Sequence, residues 1–127
     1  MTRNVYTDGS AMNNGHQDCT SALAWVSVSG GQESVRLSGP ALSNNIAEVA
    51  AVSLALQSWP QSDLHIHTDS KLVLKLLQGG LLKLESDGWP ATRWTSFPPG
   101  LPPTSHTNLF QFLLFQIRCH QGALSCS

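Results

Sequence analysis

Two β-prone segments far apart in the chain each run into an aspartate. Asn4 to Thr7 precedes Asp8, and Leu64 to Thr68, whose side chains alternate between apolar and polar, precedes Asp69. If the two segments lie side by side and parallel, both carboxylates arrive at one edge of a sheet. Parallel strands cannot be joined by a tight turn and need a crossover. The intervening sequence supplies one: Asn45 and Glu48 form an N-x-x-E helix start, and Ala47, Ala50, Ala51, Leu54 and Leu56 favour helix until Pro60 stops it. Glu48, early in that helix, is expected to lean over the same edge.

The rest of the chain fits around this frame. Asn13-Asn14-Gly15-His16 carries an Asn-Gly turn signal, and Leu23 to Val28 and Ser34 to Leu37, separated by Gly30-Gly31, are two further strands. Three strands so joined imply an antiparallel meander. Ser70 is placed to cap a second helix with Leu72, Val73, Leu76 and Leu77 on one stripe, and Gly79-Gly80 is its expected stop. Residues 95–108 hold Pro98, Pro99, Pro102 and Pro103 and are expected to be an irregular loop. Leu109 to Arg118 is a buried helix by its texture, and Leu124 to Ser127 opens a further strand. The expectation is an α/β fold with a mixed sheet: three antiparallel strands, then a parallel strand, with helices packed on the sheet and the last strand and helix incomplete.

With 127 residues and 41% hydrophobic content, the chain suits a single domain spanning 1–127. Seven Lys+Arg against eight Asp+Glu give a formal charge of -1. That excludes a strong basic field for holding a polyanion at a distance, so nucleic-acid binding must rest on local contacts and metal ions. Cys19, Cys119 and Cys126 form no C-x-x-C pair and imply free thiols in a reducing, intracellular compartment. No stretch has the length or apolarity of a membrane span.

Three carboxylates at one rim offer hard oxygen ligands suited to Mg²⁺ or Mn²⁺. That is the equipment of metal-assisted phosphodiester hydrolysis. Without metal the charges repel, and at least one pKa is expected to rise. Each acid also has a structural reading of its own: Asp8 before Gly-Ser as turn chemistry, Asp69 before Ser as a cap, and Glu48 as half of a capping box. It is their spacing together that favours a site.

Val5-Tyr6-Thr7-Asp8-Gly9-Ser10, Ser43-Asn44-Asn45-Ile46-Ala47-Glu48 and His65-Ile66-His67-Thr68-Asp69-Ser70 resemble, in order and interval, three successive signatures of type 1 ribonuclease H. The resemblance runs from Asn4 to Trp89. It implies a ribonuclease H-like fold and an endonuclease that cuts the RNA strand of an RNA–DNA hybrid with two Mg²⁺ ions. It marks Asp8, Glu48 and Asp69 as catalytic metal ligands, and Gly9, Ser10, Asn44, Asn45 and Trp89 as substrate contacts. For the two asparagines a helix-start role stands beside this, as does a loop-anchor role for Trp89. The texture resembles domains carried by retroelement polyproteins of the reverse-transcriptase kind. The family pattern continues with a His-bearing loop and a last helix carrying a fourth carboxylate, and no Asp or Glu follows Asp87 here. The expectation is therefore a C-terminally truncated domain with activity reduced or lost. The basic surface expected after the second helix is thin, with Lys83, Arg93 and Arg118.

Two other readings compete. One is a non-catalytic nucleic-acid- or protein-binding module that keeps the fold. The other takes His65, His67 and Asp69 as an H-x-H-x-D zinc set on one strand face. Of the late histidines, His106 lies in the Pro-rich loop, and His120 is explained as a favourable charge at a helix C-terminus.

Overall fold

A computed structural model describes residues 2–12, 20–27, 32–38, 44–89 and 109–127. The Asn13–His16 turn, Cys19, Gly30-Gly31, Ser43, Arg93, the 95–108 loop and His106 lie outside the described residues. Strands β1 (Arg3–Met12), β2 (Thr20–Ser27) and β3 (Gln32–Ser38) are followed by helix α1 (Asn44–Ser58), β4 (Leu64–His67), α2 (Lys71–Lys75), α3 (Leu81–Ser86), α4 (Leu109–Cys119) and β5 (Leu124–Cys126).

The five strands form one sheet in the order β3-β2-β1-β4-β5. β1 pairs parallel with β4 and β4 pairs parallel with β5, so β1, β4 and β5 form a block of three parallel strands. β2 runs antiparallel to β1, and β3 antiparallel to β2. This corrects the expected fold class of three antiparallel strands and then a parallel strand, with the last strand incomplete. β1 belongs to both pairings, and β5 adds a further parallel strand. Only the last few residues of the chain carry the β5 signal, and its pairing with β4 is a long-range event that local patterning does not reveal.

The strands of the parallel block have an inner and an outer face. Val5, Thr7, Leu64 and Ile66 are buried under the helices, while Asn4, Tyr6 and Asp8 face outward and are exposed. α1 is the central helix. Its Ala47, Val49, Ala50, Ala51, Val52 and Ala55 are fully buried, and this run of small side chains lets the helix lie close on the sheet. α4 packs beside it through Leu109, Phe110, Leu113 and Leu114. A reciprocal pair ties the two helices: Ser53 Oγ donates to Gln116 Oε1 at 2.6 Å, and Gln116 Nε2 donates to the Ser53 carbonyl at 3.2 Å.

One local expectation changes. Asp8 does not end its strand, because β1 continues to Met12 and pairs with β2 from Val5 to Met12. The reason is Gly9, which serves close approach and makes no turn: a Cβ there would collide with the Ala47 carbonyl and the Glu48 nitrogen of α1. Gly79-Gly80 does end the second helix. The chain kinks through Gln78 and Gly79, the latter at φ 124°, and resumes as α3. Gly79 takes the left-handed backbone that a side chain resists, and Leu81 then returns to the core.

Candidate metal centre

The parallel pairing of β1 with β4 ends at Tyr6 opposite His67. Beyond that point the strands part: β1 continues with Asp8, and β4 gives way to a loop carrying Asp69. Each aspartate thus lies two residues past the last paired position, at the same rim. Glu48 comes to the rim from the first turns of α1, which Gly9 allows to press against β1. One ligand oxygen from each of Asp8, Glu48 and Asp69 lies within 4.8 Å of the others. Among the described residues, no other trio of potential ligands converges in this way.

The three acids differ in setting. Asp8 and Asp69 are exposed, whereas Glu48 is partly buried beneath them. Burial pushes the Glu48 pKa up to about 7, the charges of Asp8 and Asp69 add to the rise, and a backbone hydrogen bond from Gly9 opposes it. Glu48 thus shows the expected rise, and desolvation outweighs repulsion as its cause. Glu48 Oε2 is buried without a hydrogen-bond partner. A buried carboxylate oxygen left unsatisfied is costly, and a divalent cation held between three hard oxygen donors removes that cost. The donor set and this orphaned atom both fit Mg²⁺ or Mn²⁺.

The rim opens into a cleft of about 430 Å³ lined by Tyr6, Thr7, Asp8, His67, Thr68, Asp69 and Ser127. Sequence reasoning missed Tyr6 and Ser127, and offered His67 only as a zinc ligand. For Tyr6 the signal was present, since it precedes Asp8 by two residues in β1 and so shares its side of the strand. Tyr6 and His67 stack with ring centroids 4.4 Å apart.

The remaining predicted positions are placed as follows. Gly9 is buried against α1. Ser10 lies in β1, and Asn44 and Asn45 open α1, Asn45 with an exposed side chain. Trp89 follows α3 at φ 57°, its N–H donating to the Leu84 carbonyl at 2.9 Å, and its ring is half-buried against the core. Ser70 accepts from the Val73 N–H and caps α2. The zinc set does not assemble. Asp69 joins the other carboxylates, both His65 ring nitrogens pair with Ser125 and Ser127 hydroxyls, and His67 Nε2 donates to Asn4 Oδ1. His120 stands just past α4, where its Nε2 donates to the Ser62 carbonyl at 2.7 Å. Arg118 is engaged by Glu85 through two 2.6 Å hydrogen bonds.

The sequence pattern of the family described as RNase H matches residues 2–96. Among curated proteins, none matches the chain. Among solved structures, the foamy viral protease-reverse transcriptase in complex with dsDNA is similar, with a TM-score of 0.69 and 20% identity over 98% of this chain and 80% of that one. That likeness concerns the fold.

Proposed function

The chain belongs to the RNase H family, and from this premise we propose that it is a metal-dependent endonuclease acting on the RNA strand of RNA–DNA hybrids. The observation that carries the reading is the convergence of Asp8, Glu48 and Asp69 within 4.8 Å at the rim of an open cleft. These three side chains are the ligands, for Mg²⁺ or Mn²⁺ and for two ions in a full site. Such ions, when bound, supply positive charge that activates water and stabilises the leaving oxygen of an in-line displacement.

The chain's own residues prepare that chemistry. Glu48, its pKa raised to about 7 chiefly by burial, would hold such an ion together with the two aspartates once deprotonated. The Gly9 hydrogen bond holds it oriented toward the aspartates. Gly9, Ser10, Asn44 and Asn45 flank the ligands along β1 and at the start of α1, where contacts to a minor groove can read the 2′-hydroxyl. Trp89 is the contact for the DNA strand. Among the described residues three carboxylates converge, and with this ligand set alone the turnover is slow.

Hybrid cleavage assayed with Mg²⁺ and with Mn²⁺ tests the proposal. Cutting confined to the RNA strand, dependent on the cation and abolished by Asp69→Asn, is the expected result. Vigorous cutting that survives Asp69→Asn overturns it. That no fourth acid joins the cluster among the described residues favours one second reading, a hybrid-binding module without cleavage. A gel shift that prefers hybrid over duplex DNA, with no product formed under either cation, supports that alternative.

A further inference from the structure

α2 leaves directly from the candidate metal centre. Asp69 is a member of the carboxylate cluster, Ser70 caps the helix, and Lys71 is its first residue. Val73 and Leu76 turn inward and are buried, while Lys71 and Lys75 are both exposed. Residues four apart lie on one helix face, about 6 Å apart along the axis at an ordinary helical rise. Among the described residues neither lysine joins an ion pair, in contrast to Arg118, which Glu85 occupies. A pair of uncommitted cations therefore leads away from the metal site along one stripe. On a chain of net charge -1, long-range attraction does not hold a polyanion, and contacts of this local kind have to.

We infer that Lys71 and Lys75 form a phosphate track, contacting successive backbone phosphates of the nucleic-acid strand that enters the carboxylate site. The inference rests on the proposed function and adds to it the route by which the substrate backbone reaches the site. Contacts to phosphate carry no information about sugar or base. The two lysines position the strand, and the discrimination of hybrid from duplex lies elsewhere.

The test is the salt dependence of binding to a short RNA–DNA hybrid and to DNA duplex of the same sequence, with Ca²⁺ held constant in place of Mg²⁺ and KCl varied. For the unaltered chain, log K falls linearly with log[KCl]. Lys71→Ala and Lys75→Ala are each expected to reduce that slope by roughly 0.9, the value for one lost phosphate contact, and to weaken hybrid and duplex by the same factor. Lys71→Arg and Lys75→Arg restore the slope. If the unaltered chain binds hybrid and both alanine variants keep its slope, the track is overturned while the nuclease reading stands. A loss confined to the hybrid, with duplex binding untouched, also overturns it. If the unaltered chain binds neither nucleic acid, the underlying reading fails and the track with it.

Discussion

At the scale of single residues, the site depends on Gly9 as much as on the acids beside it. Its missing side chain is what lets α1 approach β1 closely enough for Glu48 to share a rim with Asp8. Gly9→Ala drives a methyl group into the α1 backbone, which has no flexible end to move aside. Overpacking of this kind costs roughly 1–3 kcal/mol, measurable as a lower urea midpoint, and it should also weaken divalent-cation binding by moving Glu48 away from its partners. The three acids are not equivalent. Asp8 and Asp69 are exposed, so Asp8→Asn and Asp69→Asn should leave the unfolding midpoint of the metal-free chain nearly unchanged while lowering Mg²⁺ affinity, as isothermal titration can show. For Glu48 the sequence showed a capping-box residue and a ligand equally, and its burial raises its pKa.

At the scale of elements, helices α1 and α4 are joined by a polar pair within an apolar interface. Ser53 is 2% exposed and bonds Gln116 in both directions. Ser53→Ala leaves Gln116 Oε1 without its donor and should cost about 1–3 kcal/mol. Replacing both, as Ser53→Ala with Gln116→Leu, should recover part of that loss, because no polar atom is then stranded; a double-mutant cycle in urea reads the coupling. The kink between α2 and α3 is the other element-scale device. Gly79 at φ 124° has no neighbour that a Cβ would strike, so the cost of Gly79→Ala is the strained backbone alone. A loss on the order of 1–2 kcal/mol is expected, seen as a lower thermal midpoint with an unchanged helical circular-dichroism signal below it.

At the scale of the whole molecule, the carboxylate cluster links stability, pH and metal. Glu48 has a folded pKa of about 7 against an ordinary value of 4.5, so between those values the folded chain holds a proton that the unfolded chain has released. Stability should therefore fall as pH rises from about 4.5 to about 7 and level off above it. Thermal melts in a chelator should show this decline, Glu48→Gln should flatten it, and Mg²⁺ should offset it by binding the ionised trio. Cation affinity should rise across the same window. Much of this was legible in the linear chain. The three acidic blocks, the capped helix between them and the alternating strand before Asp69 all rest on short-range rules of spacing, capping and period. What those rules do not reach is association between distant segments. The pairing of β4 with β5, the fresh helix that follows Gly79-Gly80, the depth of Glu48 and the cleft lined by Tyr6, His67 and Ser127 each depend on which surfaces meet once the chain is compact. Local sequence determined which residues were available to bind a cation; packing of α1 across Gly9 onto the sheet decided that they stand together.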